Sequence, residues 1–325
     1  MRYFPCDWGH CHTLWYSKLM IFRHEYRGGV WVDLEQPSEE EMRHIVNEFS
    51  IGERIERELI SPTPTPLVAN DAGATLLVLH FPTHSTEDNQ TGNQEIDFVV
   101  GKNFIVTVRY EVIAPLHHLR KLFETQQLVT PHASITANVL FEILFVHLYT
   151  AVRDHINHAV DHLARVEQSM FDGHERTTVR SISNISREFL HMEAAIADQE
   201  EPLGRFLNVL AQQGFFNASF AEHREHILAE RTQISRLIET HRAVAGELRE
   251  TNIALLEAGQ NEIMKTLTIV NFIFLPLGLI SWTFTMRTEG MPFIDSPNAF
   301  WIVLGIMLTV ALILTVFFIR KRWLF

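Results

Sequence analysis

The chain has 325 residues, 46% of them hydrophobic, with 39 acidic against 27 basic side chains and a formal net charge of −12 at pH 7. That acidic balance, with no basic stripe outside the C-terminal tail, excludes a nucleic-acid partner from the expectation and favours attraction of cations. Cys6 and Cys11 are the only cysteines, so no disulfide framework is expected and a reducing compartment fits.

Residues 1–24 read as an N-terminal extension. Met1 to Met20 holds Asp7, His10, His12 and Lys18 in place of an apolar run, so a cleaved signal is not expected. Cys6, His10, Cys11 and His12 are soft ligands of the kind zinc takes, but their spacing is not that of a standard finger; the other reading is an extension without metal. Residues 25–133 predict an α/β domain. Gly28-Gly29 leads into the apolar run Val30 to Leu34, and Ser38 with Glu41 has the form of a capping box opening a helix to about Phe49. The proline-rich run Ser61 to Pro66 reads as an extended connector. Leu76 to Phe81, Ile96 to Val100 and Phe104 to Val108 predict strands, the last two joined as a hairpin across Gly101-Lys102-Asn103. His80, His84, His117 and His118 are scattered and read as surface or packed histidines.

Residues 134–266 predict a helical stalk. Leu140, Leu144, His147, Leu148, Ala151 and His155 share one helix face, and Ile156, Leu163, Val166 and Met170 continue it until Gly173. A second helix is expected over about Val179 to Val209, interrupted near Pro202. From about Ser219, Ile227, Ile234, Leu237, Val244, Leu248 and Leu255 recur at heptad-like steps. That helix is expected to run into the membrane as a rod on the order of 100 Å, at about 1.5 Å per residue, which calls for lateral partners and hence a homo-oligomer.

Leu267 to Met286 and Ala299 to Ile319 are uncharged, each long enough at about 20 residues to cross a hydrocarbon core of about 30 Å. Residues 287–298 form the loop between them and residues 320–325 a basic tail with Arg320, Lys321 and Arg322. A basic flank is held on the cytoplasmic side, so both termini are expected there, in a multi-pass protein of the cell (inner) membrane in contact with lipid. On the first span, Asn261, Met264, Thr268, Asn271, Leu275, Gly278, Trp282 and Thr285 form one stripe. Asn271 in the bilayer needs either a partner helix or the water of a pore. Pro276 leaves the Phe272 carbonyl without its helical donor, and Lys265 at the boundary either snorkels to phosphates or adds to a positive ring. No P-loop, His-Glu-x-x-His or Gly-x-Ser-x-Gly pattern occurs, so neither an enzyme nor an organic cofactor is expected.

The run Asn261-Glu262-Ile263-Met264-Lys265-Thr266-Leu267-Thr268-Ile269, then Pro276-Leu277, Met291-Pro292 and the tail Arg320-Lys321-Arg322-Trp323-Leu324, resembles the CorA family of divalent metal ion transporters, within the CorA/ZntB superfamily. Val30-Trp31-Val32-Asp33-Leu34 and Gly101-Lys102-Asn103-Phe104-Ile105-Val106-Thr107-Val108 resemble its cytoplasmic strand motifs. The resemblance implies a funnel-shaped homopentamer: an α/β cytoplasmic domain, a long helical stalk and two C-terminal transmembrane helices. It implies a pore lined by Asn261, Met264, Leu267, Asn271, Leu275 and Gly278, with Met264, Leu267 and Leu275 as apolar constrictions. Lys265, Arg320, Lys321 and Arg322 would form a cytoplasmic basic ring, and divalent metal, Mg²⁺ or Zn²⁺, would be substrate or regulator. Asp33, Glu35 and Asp97, near strand ends, are candidate regulatory ligands; the other reading is ordinary solvated carboxylates.

The chain departs from the family at one place that bears on chemistry. The Gly-Met-Asn signature, which holds hydrated Mg²⁺ at the outer mouth, aligns without gaps on Thr285-Met286-Arg287, with Glu289 nearby. Arg287 replaces an oxygen acceptor by donors and adds positive charge, and the chain resembles the branch, including CmaX-type proteins, that lacks the signature. Two readings stay open: a divalent-metal channel or transporter, for zinc rather than magnesium, or a non-conducting or differently selective sensor that kept the scaffold.

Overall fold

The computed structural model describes residues 21–84, 91–129, 135–216, 219–286 and 298–321. The chain divides into two compact units, residues 1–169 with 180–247, and residues 170–179 with 248–325.

The first unit is built on a six-stranded sheet of order β1-β2-β6-β5-β4-β3. Its strands are β1 (Ile21–Tyr26), β2 (Gly29–Glu35), β3 (Leu67–Asp71), β4 (Ala74–His84), β5 (Thr91–Gly101) and β6 (Phe104–Arg109). β2 and β6 run parallel in the middle and every other neighbouring pair is antiparallel. Apolar residues on both faces of β2, β4, β5 and β6 call for cover on both sides. On one face, Val32, Leu34, Leu76, Val78, Val99, Val106 and Val108 form a core with Met42, Ile45 and Val46 of α1 (Glu39–Glu48) and Ile55 and Leu59 of α2 (Glu53–Leu59). On the other face Phe98 stacks on Phe145 at 4.8 Å, and Trp31 meets Phe123 edge-on at 5.6 Å. Those two phenylalanines belong to α4 (Ala137–Ser169) and α3 (Ala114–Val129).

The expected strands, the hairpin and the capping box are present. Ser38 Oγ accepts from Glu41 N at 3.2 Å, and Glu41 Oε2 accepts from Ser38 N at 2.8 Å. Three differences have physical causes. The sheet begins at Ile21, inside the stretch expected as an extension, because β1 pairs with β2 from Ile21↔Leu34 to Tyr26↔Gly29. The second helical stretch, α5 (Glu175–Ala197) and α6 (Glu200–Gln213), extends about four residues beyond the expected bounds at each end and is interrupted near Pro202 as expected; Pro202 sits in the first turn of α6, where its missing N–H costs nothing. On α7 (Phe220–Thr285), Ile227, Ile234, Ile238 and Ala245 are fully buried while Val244 is 48% exposed. About 18 residues make five turns of a straight helix at 3.6 per turn, so the stripe steps one residue beyond the heptad. That stripe is satisfied within the unit, and a partner chain is not what it requires.

In the second unit Gly173, at φ 89°, breaks the helical run in the π-helical turn Met170–His174. The rest is the distal part of α7, with Pro276 inside it, and α8 (Ala299–Arg320). Both are long and apolar enough to cross a membrane.

Candidate functional site

Only one face of the distal part of α7 is covered. Ile269 is 4% exposed and Phe318 of α8 is 6% exposed, and the rings of Phe272 and Phe318 meet edge-on at 6.3 Å. Phe272 lies early in its apolar run and Phe318 late in its own, so the two helices run antiparallel. Ile273, Pro276, Leu277, Ile280 and Phe284, which share the Ile269 face at about 100° per residue, are partly buried.

The expected pore stripe falls on the opposite face. Asn261, Met264, Leu267, Thr268, Asn271, Leu275, Trp282 and Thr285 are all exposed, and Gly278 is partly covered. Leu275 and Trp282 reach 71% exposure, values that an apolar side chain keeps only where lipid, water or another chain meets it. The threonines give this face acceptor character. Thr268 Oγ1 donates to the Met264 carbonyl and Thr285 Oγ1 to that of Ser281, both at 2.7 Å, so the outward side of each hydroxyl is an oxygen lone pair. Pro276 leaves another backbone acceptor, the Phe272 carbonyl, without its partner one turn on, but on the side of the helix that meets α8. A stripe of amide and hydroxyl oxygens between apolar side chains suits a hydrated cation.

At the ends, Thr285 and Met286 are exposed, as are Lys265, Arg320 and Lys321. Arg287, Glu289, Met291, Pro292 and Arg322 lie outside the described residues, as do Cys6, His10, Cys11 and His12.

The candidate regulatory carboxylates are occupied differently from expectation. Asp33 is fully buried: its Oδ2 accepts from Arg109 Nη2 and its Oδ1 from Thr107 Oγ1, both at 2.7 Å. Trp31 Nε1 donates in turn to Thr107 Oγ1 at 3.1 Å. These residues meet because β2 and β6 pair in parallel register, Asp33 opposite Thr107 and Glu35 opposite Arg109. Glu35 takes a second bond from Arg109 Nη2 at 2.9 Å. Burial pushes the Asp33 carboxyl up and Arg109 opposes it. Asp97, on the other face of the sheet, is also fully buried, 3.0 Å from the Tyr110 hydroxyl, which is itself 3.0 Å from the Leu59 carbonyl. Among the described residues no three His, Cys, Asp or Glu side chains stand together as a metal-ligand group. Asp33, Glu35 and Asp97 thus each bond to a partner within the sheet unit, the second of the two readings the sequence left open being that they are ordinary carboxylates. Arg109 and Thr107 were not anticipated; the one signal for them was their place on strands beside the charged β2.

Burial pushes the Asp97 carboxyl well up, with the nearby Glu95 charge adding to it. The Tyr110 hydroxyl faces two acceptors, Asp97 Oδ2 and the Leu59 carbonyl, so its one proton serves both. A raised folded pKa means the contribution of Asp97 is complete below the unfolded carboxyl's pKa, about 3.9. It is lost as pH rises from there through the folded pKa, by up to about 1.4 kcal/mol per pH unit. Asp97→Asn keeps a hydrogen-bond partner for Tyr110 and removes the ionisation, so its stability is expected to stay flat over that window. Denaturant titrations of both proteins across the acid-to-neutral range check this, and parallel pH profiles would count against an upward shift of the Asp97 carboxyl.

A mixed α/β unit followed by two antiparallel apolar helices, the first with a polar-and-apolar stripe left uncovered, defines a membrane-anchored protein that presents one helix face to something other than its own second helix. The chain belongs to the CorA-like Mg²⁺ transporter protein family, whose model matches residues 26–321. It is 22% identical over 296 residues to the putative metal ion transporter YfjQ of Bacillus subtilis, covering 90% of this chain and 89% of that one. The complete structure of the CorA magnesium transporter from Methanocaldococcus jannaschii aligns with a TM-score of 0.77 at 20% identity, over 92% of this chain and 93% of that one. The full-length CmaX structure aligns with a TM-score of 0.67 at 17% identity, over 91% and 89%. The α/β domain, long helix and two C-terminal apolar helices are the fold of that family.

Proposed function

We propose that the protein carries divalent metal cations across the cell membrane as a homopentamer, with the uncovered face of α7 turned to a common axis. The observation that carries this reading is the placement of Asn261, Met264, Leu267, Thr268, Asn271 and Leu275 opposite the face that meets α8, all exposed in the single chain. Residues 267–286 and 299–319 span the bilayer, 287–298 face outward, and the remainder, with both termini, is cytoplasmic. Met264, Leu267 and Leu275 form apolar constrictions that exclude water when closed. Asn271 and the threonine oxygens stand in for part of the hydration shell, and Lys265 with Arg320, Lys321 and Arg322 forms a basic ring at the cytoplasmic end. The role is transport, with no catalysis.

The ion is zinc rather than magnesium. Mg²⁺ keeps its waters and needs oxygen acceptors around them, and Arg287 stands where the family signature supplies one. Purified protein in liposomes, loaded with a metal-sensitive dye and given matched Zn²⁺ and Mg²⁺ gradients, is expected to pass Zn²⁺ with little Mg²⁺. Dominant Mg²⁺ flux would overturn the ion assignment. No flux of either ion would favour the second reading, a closed or sensory scaffold, which the charge of Arg287 supports.

A further inference from the structure

Where β6 leaves the sheet, the β4–β5 hairpin runs on without it. β5 and β6 part at Ile96↔Arg109, whereas β4 and β5 stay paired as far as Thr83↔Gly92 and beyond. On the face of the sheet that meets α4, this overhang, the turn into α3 and α4 itself enclose a cleft of about 530 Å³. Pockets that take one small organic ligand are usually about 300–1,000 Å³. The floor is apolar: Phe81, Ile113, Leu148 and Val152 line it and all are buried. Val112, also in the lining, is 54% exposed and marks the mouth. The cleft lies wholly within the first unit, away from the proposed pore.

The polar side chains of the lining share a bias. Thr83 Oγ1 donates to the Gly92 carbonyl at 3.2 Å, and Gln94 Nε2 donates to Glu111 Oε2 at 3.0 Å. His155 Nε2 stands 2.8 Å from Glu188 Oε1, and against a carboxylate that nitrogen is the donor. Each of the three gives a donor to a protein oxygen, which leaves Thr83 a hydroxyl lone pair and Gln94 its amide oxygen for an occupant of the cleft. Two carboxylates, Glu111 and Glu188, stand one hydrogen bond behind the wall, and among the described residues no lysine or arginine lines it. His158, the other titratable side chain of the lining, is exposed to solvent. Arg109 reaches the Ile113 carbonyl from inside the sheet at 3.0 Å, but Asp33 and Glu35 already match its charge.

We propose that this cleft binds an amphipathic amine, with its apolar body against Phe81, Leu148 and Val152 and its ammonium group at the rim beside Thr83, Gln94 and Glu111. The ammonium carries three donors and no acceptor, so it meets those oxygens without a competing lone pair. An anionic head of the same size would face Glu111 and Glu188 with no full positive charge to answer it, so charge selects between two ligands whose apolar bodies are the same.

Titration calorimetry on the full-length protein in lipid nanodiscs, with empty nanodiscs as the blank, tests the site with two probes that share an indole body. Tryptamine is expected to bind with a dissociation constant below about 1 mM, and indolepropionate at least about tenfold more weakly. Val112→Lys places a cation at the exposed mouth without touching the floor, and is expected to reverse that preference. Ala151→Phe, which fills the cleft from the α4 wall, is expected to abolish tryptamine binding. No binding of tryptamine, equal affinity for the two probes, an unchanged preference in Val112→Lys, or binding that survives Ala151→Phe would each overturn the assignment.

Discussion

Replacing Arg109 by alanine is expected to lower the unfolding free energy of the α/β unit by about 3–5 kcal/mol, among the largest losses available to a single side chain here. The guanidinium is fully buried and donates to Asp33, to Glu35 and, through Nη1 at 3.0 Å, to the Ile113 carbonyl that leads into α3. Removing it leaves the Asp33 carboxylate in a site that water does not reach, flanked by Glu35. The penalty comes from that stranded charge more than from the pair's own attraction, because a buried pair replaced as a whole is often nearly neutral. Asp33→Asn combined with Arg109→Met is therefore expected to recover most of the loss. Urea titration of the purified full-length protein, followed by circular dichroism, measures both. A loss below about 1 kcal/mol for the single variant would mean the network is dispensable.

The same network shows where sequence reasoning reaches its limit. Periodicity and caps made β2, the β5–β6 hairpin and α1 readable, since Val30 to Leu34, the turn at Lys102-Asn103 and the Ser38–Glu41 pair are decided within a few residues of chain. β1, β3, α2 and α3 are short or mixed in composition, and tertiary packing decides them. The strand pairing that sets Asp33 against Thr107 joins positions 74 residues apart; no local pattern carries it, so the hydrogen bonds of Asp33, Glu35 and Asp97 could not be read from their places near strand ends. On α7 the seven-residue spacing was legible but not every step within it, because three- and four-residue steps both keep a side chain on one helix face and packing decides between Leu237 and Ile238. The stripe over residues 261–285 was readable, since an apolar run leaves few polar side chains and Asn261, Thr268, Asn271 and Thr285 fall on one line. Its orientation away from α8 follows from the packing of Ile269 and Phe272 against that helix, to which the sequence offers no guide.

Arg287→Asn is expected to raise Mg²⁺ flux through reconstituted protein by about tenfold or more. In a homopentamer the substitution removes five like charges from the outer entrance and restores five amide oxygens. Each guanidinium about 10 Å from a divalent ion repels it by about 0.8 kcal/mol in a water-like dielectric, so an unscreened ring amounts to about 4 kcal/mol. Physiological salt, with a screening length of about 8 Å, cuts that to between 1 and 2 kcal/mol, which is about a tenfold change in entry. Arg287→Lys keeps the charge and is expected to leave flux low, whereas Glu289→Gln, which removes a negative charge two residues along the chain, is expected to lower it further. Tenfold gain for asparagine with none for lysine would assign the barrier to charge. Equal flux in all three variants and the wild type would place the control of entry deeper, at the Leu275 and Asn271 level, where the uncovered face of α7 is most apolar and an ion must give up water before it meets the next oxygen.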